Sequence, residues 1–450
     1  MITFTQMRIA LESGRVTSLQ LVNQALENNR QWLDKNAIGR ISPLAKKLAK
    51  KRDEERRLGF VRGPLHGIPI VIKDNIFYKD GTPTTCNAYA LHDFYPPAHA
   101  PIVKYLLDKG AIIIGKANLS EYAYFLSDDK MPSGYGSMYG QVKHPFDETI
   151  DPLGSSTGSA VAVKLGIVPG AIGTETNGSL MAPAFQCQIV ALKPTFGLVS
   201  QQGIIPISPV QDTAGPMASC VYDCALLMDA LIDDQQHVHP FPFSQSFAEA
   251  IEQPLTGGKI GLVHFEDNQY SSEEFAVIEQ SKARIIKAGF TYEEIIVKLP
   301  KLENEPTLLV EFKYAINQFL QSVSGLTPHK SLEDLILFHR EHAKRCLRYG
   351  QTIFEKAVAT HGDVTHPEYL AWRDSLLDEA HLFEKILHEK QLVAIGTPVW
   401  LSFAPIYGNP SLCIPEGIFN KQPKAMVFVA KKYDDQTLLR FGHAYEATSL

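Results

Sequence analysis

Residues 66–75 read HGIPIVIKDN, and Ile68, Pro69, Ile70, Val71 and Ile72 form an unbroken, mostly β-branched apolar run. A run of that length with no polar alternation predicts a strand covered on both faces. Outward from it, residues 66–230 alternate apolar strand-like runs with helical stretches, the pattern of βαβ units. The expectation is an α/β fold with a mixed, mostly parallel central sheet covered by helices.

Lys73 closes the apolar run. A lysine at a strand end either snorkels to water or is held neutral by burial. Its ordinary pKa is about 10.4, so service as a base near pH 7–8 needs a drop of roughly 2–3 units, about 3–4 kcal/mol. Two serine-bearing turns lie downstream, GSSTGSA at 154–160 and GTETNGSLMAP at 173–183, with Ser155 placed 24 residues before Ser179. Taken singly, each serine is ordinary turn chemistry. Taken together, a nucleophilic Ser179, a bridging Ser155 and a Lys73 base are the parts for amide chemistry without histidine.

These segments resemble the amidase signature family, whose triad is a Lys, a cis-bonded Ser and a nucleophilic Ser. The family's KDN is matched by Lys73, Asp74 and Asn75, its GSS turn by Gly154, Ser155 and Ser156, and its GTxxxGS element by Gly173 to Ser179. The blocks GKANLSEYA, ALKPTFGLVS, GIIPIS, QDTAGPMA and GNPSLCIPEGIFNKQPKAMVFVA extend the likeness over nearly the whole chain, most weakly at about 320–395. The wording of TETNGSL, KPTFGLVSQQGIIPIS and QDTAGPM is closest to the family's peptide-amidase-like branch.

The resemblance implies a mechanism, position by position. Ser179 attacks the carboxamide, Ser155 relays the proton to neutral Lys73, and the Gly154–Ser155 bond is cis. The main-chain N–H groups of Thr176, Asn177, Gly178 and Ser179 are the oxyanion-hole candidates. Ser156 supports Ser155 or, alternatively, caps the helix that follows. No cofactor and no metal are implied.

Two positions depart from the commoner pattern. Asn177 stands where a Gly is usual, and Asn tolerates positive φ in a tight turn. Met181 stands where an Arg is usual. If the Met181 side chain lies near the site, a carboxylate-bearing substrate loses its partner, unless Lys130 or Arg373 replaces it. The expected substrate is therefore a C-terminal peptide amide or a neutral small amide. Two alternatives stand beside it: more remotely, a pseudoenzyme that only binds, and, nearer, a glutamine-hydrolysing amidotransferase-type subunit.

Other motifs compete less well. Residues 154–158 fit the G-x-S-x-G elbow, with Ser156 as nucleophile, but no later Asp and His stand in a matching context. Residues 110–116, GAIIIGK, nearly match a P-loop, but Ala117 replaces the metal-binding hydroxyl and AIII is strand material. His339 with His342, and His237 with His239, lack a ligand cluster.

Composition sets the bounds. The chain has 450 residues, 45% hydrophobic and 20% charged, as in an ordinary globular enzyme. A net charge of −6 gives no footprint for nucleic acid. No run of 18 apolar residues is present to span a membrane, and no signal peptide is evident. Six cysteines do not make a disulfide scaffold, so a cytoplasmic location is expected. Homo-oligomerisation is left open.

Length alone suggests about three domains, whereas the resemblance implies one amidase domain over 1–450. Within it, 1–60 is expected to be an N-terminal helical region and 66–230 the catalytic core. Residues 232–258 read as a surface connection. Residues 259–265 read as a strand, and a helix follows, opened by a Ser271–Glu274 capping box. Residues 302–392 are expected to be a variable helical region that shapes the substrate pocket. Residues 396–450 form closing strands and a helix.

Overall fold

The computed structural model describes residues 2–232, 245–253, 255, 257–266 and 270–449. Eleven strands make one sheet among them. They are β1 (Ile38–Ile41), β2 (Pro69–Lys73), β3 (Ile112–Ala117), β4 (Gly170–Glu175), β5 (Val190–Lys193), β6 (Thr213–Ala218), β7 (Lys259–Phe265), β8 (Thr291–Val297), β9 (Ala394–Thr397), β10 (Ser411–Phe419) and β11 (Gln422–Val429). Their order across the sheet is β1-β3-β2-β4-β6-β5-β10-β11-β9-β7-β8.

The α/β mixed sheet covered by helices is as expected. Parallel pairing, however, is confined to β3-β2-β4 at one side and β9-β7-β8 at the other. The strands between them, β4 through β9, pair antiparallel, and so does the edge strand β1. The excess of parallel pairs expected from the alternating pattern is therefore corrected. Short returns such as the Asn420–Lys421 turn between β10 and β11 leave no room for a crossover helix.

β2 is buried along its whole length, as its apolar run required. Its side chains alternate: Ile70 and Ile72 enter one core cluster and Val71 the other. Lys73 therefore follows Val71 toward the layer that contains the helix Thr157–Lys164. That helix is made of small residues and lies against main chain. A Cβ at Gly158 would stand 2.3 Å from the Ala37 carbonyl and 2.5 Å from the Asn118 carbonyl. GSSTGSA is thus a packing motif as well as a carrier of serines.

Elsewhere the expected elements hold with small corrections. Helices Phe4–Glu12, Ser18–Gln31 and Ala45–Arg57 fill the N-terminal region, with Thr17 capping the second. Between them β1 interrupts the helical expectation, pairing antiparallel with β3. A strand of four residues whose partners, such as Ala117 for Ile38, lie far along the chain carries little local signal. The 259–265 strand and the Ser271–Glu274 capping box are present. Helix Phe247–Glu252, capped by Ser246, occupies part of the expected surface connection. The rest of that connection, with His237 and His239, lies mostly outside the described residues. Residues 302–392 are helical in six segments between Glu305 and Glu389. No helix among the described residues is long and apolar enough to cross a membrane.

Candidate active site

The site forms beyond the C-terminal ends of the parallel strands β2 and β4, where ligands of open α/β sheets characteristically bind. The register that pairs Ile72 with Ile172 carries Lys73, one residue on, toward Thr174. Lys73 is fully buried. Its Nζ lies 2.7 Å from Ser155 Oγ, 3.0 Å from Ser156 Oγ, 2.9 Å from Thr174 Oγ1 and 3.1 Å from the Thr174 carbonyl. Burial lowers its pKa to about 7, against weaker opposing effects of Cys86, Asp212 and Glu175. The snorkelling alternative does not apply, and the amine loses its proton near neutrality.

Ser155 is fully buried and follows a cis Gly154–Ser155 peptide bond, as the resemblance implied. Ser156 occupies the N-cap position of the helix Thr157–Lys164, but its side chain makes no cap bond. Its hydroxyl donates to the Thr174 carbonyl at 3.0 Å and accepts from the Thr174 N–H at 3.2 Å. Buried and engaged in this way, Ser156 is no exposed nucleophile elbow.

Ser179 sits on the turn after β4. Its carbonyl accepts the Ser156 N–H at 3.2 Å, which ties the two serine turns together through the main chain. Among the described residues, the N–H groups of Thr176, Asn177, Gly178 and Ser179 have no hydrogen-bond partner. Four successive unpaired donors in a largely buried turn are rare unless they serve a ligand. The positive φ of the turn falls on Gly178, at +82°, so Asn177 follows the turn without needing one. A Cβ at Gly178 would come within 3.0 Å of the Trp400 ring.

Glu175 ends β4 and reaches over the turn. Its Oε2 accepts the N–H of Leu180 at 2.7 Å and of Met181 at 3.1 Å. The helix Met181–Cys187 therefore begins on a carboxylate, where its dipole favours negative charge. Of the two places open to the Met181 side chain, the core is occupied: it is 2% exposed and belongs to an apolar cluster with Leu180, Ala184 and Phe185. A flexible apolar chain following a buried turn finds its lowest free energy in the core.

Other groups were not assigned a role from sequence. Thr176 Oγ1 donates to Asp212 Oδ1 at 2.5 Å, and Gln211 Nε2 donates to the Thr176 carbonyl at 3.2 Å. Burial raises the Asp212 carboxyl to about 6. Both residues stand in QDTAGPMA, a segment whose likeness was visible but whose contacts were not. Trp400 carried no local signal at all. Arg373, named as an alternative cation, donates to Gln211 Oε1 and to the Ile406 carbonyl, each at 3.2 Å, and Lys130 is exposed.

The remaining motifs resolve as packing. GAIIIGK lies mostly in β3. His339 is buried beside Phe354 with Nδ1 3.0 Å from Gln351 Oε1, and His342 stacks on Phe338. Among the described residues, the single group spaced for a metal is His361, His366 and Glu368, all exposed. There the Nδ1 atoms of His361 and His366 accept the N–H groups of Asp363 and Glu368. That leaves the proton of each neutral ring on Nε2, the opposite of what a ligating Nε2 requires.

The site is thus a buried lysine, two buried hydroxyls and a turn of free N–H groups around Ser179. A family model described as Amidase matches residues 22–366. The chain belongs to the amidase family. It is a hydrolytic enzyme. It is 31% identical to a probable amidase of Arabidopsis thaliana, over all of this chain and 90% of that one. It is also 29% identical to a chain of the glutamyl-tRNA(Gln) amidotransferase of Chloroflexus aurantiacus, with 99% and 96% of the two chains covered. The structure of the peptide amidase from Stenotrophomonas maltophilia superimposes with a TM-score of 0.92 at 34% identity, covering 99% of this chain and 96% of that one.

Proposed function

We infer that this amidase hydrolyses the carboxamide of a C-terminally amidated peptide or a neutral small amide through a Ser179–Ser155–Lys73 triad. The observation that carries the reading is the buried Lys73 amine, 2.7 Å from Ser155 Oγ and with its pKa lowered to about 7. A neutral amine there accepts the Ser155 proton while Ser155 takes the proton of Ser179. The Ser179 oxygen then bonds to the amide carbon. The N–H groups of Thr176, Asn177, Gly178 and Ser179 receive the charge that develops on the carbonyl oxygen. The protons return through Ser155 to the leaving amine or ammonia, and water releases the acid from the acyl-enzyme.

Substrate class rests on charge and on likeness. Met181 offers no cation and lies in the core, while the Arg373 guanidinium is engaged with Gln211 and Ile406. Neither favours a carboxylate beside the scissile bond. The likeness to the peptide amidase is also closer than that to the amidotransferase.

The test has two parts. A fluorophosphonate should form its adduct on Ser179, mapped by mass spectrometry. Hydrolysis should be scored on amidated dipeptides, simple aromatic and aliphatic amides, and free glutamine. An adduct on Ser156 would move the nucleophile to the elbow reading, and glutamine as the preferred substrate would favour the amidotransferase-type reading. No adduct and no turnover would leave a binding protein.

A further inference from the structure

We propose that Gln211 and Asp212 are positioning residues that hold the Ser179 turn by the carbonyl and the hydroxyl of Thr176, and that Arg373 extends this hold into the helical cover. The kinetic part of the proposal rests on the function inferred above; the structural part does not.

The argument begins with the peptide plane. The Thr176 C=O and the Asn177 N–H belong to one planar trans peptide and point in opposite directions. Gln211 Nε2 donates to that carbonyl at 3.2 Å, so the direction of the carbonyl sets the direction of the Asn177 N–H. The Thr176 side chain is held separately, its Oγ1 donating to Asp212 Oδ1 at 2.5 Å. Asp212 is itself anchored, because its Oδ2 accepts the N–H groups of Ile207 at 2.8 Å and Ser208 at 3.0 Å. Two consecutive residues thus grip one residue of the turn from two directions.

Gln211 is oriented in turn. Arg373 Nη1 donates to its Oε1 at 3.2 Å, which fixes which end of the amide faces Thr176. Arg373 stands on the helix Pro367–Ala380 and also donates to the Ile406 carbonyl, in the helix Phe403–Tyr407. A chain of contacts therefore runs from the helices at 302–392, through Gln211, to the donors beside Ser179. Donors aimed before the reaction starts need no reorganisation as charge develops, and this is where such a hold acts.

The test is hydrogen exchange by mass spectrometry on the peptide spanning residues 174–182, in the wild type, Gln211→Ala, Gln211→Glu, Arg373→Gln and the Gln211→Ala/Arg373→Gln pair. Peptides of β7 and β8 serve as the reference for an intact fold. Gln211→Ala should exchange at least about tenfold faster in 174–182, with the reference unchanged. Gln211→Glu, which keeps a partner for Arg373 but loses the donor to Thr176, should do the same. Arg373→Gln should have a smaller effect, and the pair should exchange no faster than Gln211→Ala alone, because Arg373 acts through Gln211. On an amidated dipeptide, kcat should fall about tenfold or more with KM changed less than about threefold. Wild-type exchange in Gln211→Ala, or a full additional effect of Arg373→Gln in the pair, would overturn the hold. A wild-type chain inactive on every amide would count against the inferred function, with the exchange result standing on its own.

Discussion

Glu175 Oε2 accepts the N–H of Leu180 at 2.7 Å, so the acid that ends β4 and the first residues after Ser179 close into a ring with the serine inside it. The same oxygen also accepts the Met181 N–H. The position of Ser179 thus depends on a carboxylate whose hydrogen bonds go to the main chain of the turn.

Glu175→Ala leaves two N–H groups without an acceptor in a buried place, and each such loss costs about 1–3 kcal/mol. A destabilisation of about 2–6 kcal/mol is expected by urea denaturation. Glu175→Gln retains a carbonyl oxygen and should lose less stability, while kcat falls in both.

Lys73→Ala and Ser155→Ala should each lower kcat by about three orders of magnitude or more. Circular dichroism of both variants should remain that of the wild type. Near-wild-type turnover by Lys73→Ala would remove it from the mechanism.

Activity should rise with pH through about 7, the value to which burial lowers Lys73, and level off on the alkaline side. The sign follows from the base being the deprotonated amine. The same shift acts on stability in a stated direction. Between about 7 and the ordinary lysine range, the unfolded chain holds a proton that the folded chain lacks. The burial of Lys73 is therefore most costly below pH 7, and its cost shrinks as pH rises. Lys73→Met should raise the midpoint of denaturation at pH 6 more than at pH 10.

Gly178→Ala combines a φ of +82° with a Cβ placed 3.0 Å from the Trp400 ring. The left-handed conformation alone costs an alanine about 1–2 kcal/mol. Activity should drop at least about tenfold, by analogy with loss of one oxyanion donor. Adding Trp400→Ala should restore part of the stability and not the activity, as thermal denaturation and initial rates would show.

Neutral amides should be turned over about tenfold or more faster, in kcat/KM, than matched amides bearing a carboxylate near the scissile bond, since a charge-assisted hydrogen bond is worth about 1.5–3 kcal/mol. Efficient hydrolysis of free glutamine would reverse this.

By itself the sequence determined the parts. The apolar run before Lys73 specified a doubly covered strand, because β-branched side chains on both faces must be buried. The small residues of 154–160 and 173–183 specified close turns, and a capped helix announced itself through Ser271 and Glu274. These are local effects, carried by neighbours within a few positions. Only the tertiary structure decided the balance of parallel and antiparallel pairs, the presence of β1, and the side on which Met181 packs. Each of these depends on partners tens to hundreds of residues away. The same holds for Glu175, Gln211, Asp212, Arg373 and Trp400. Gln211 and Asp212 take their roles from contact with Thr176, Trp400 from its closeness to Gly178, and Glu175 and Arg373 from bonds to Leu180 and Gln211, all set by the sheet register and the helical cover. The pKa of Lys73 belongs to this second group too, since desolvation is a property of everything packed around an amine and not of the residues beside it in the chain.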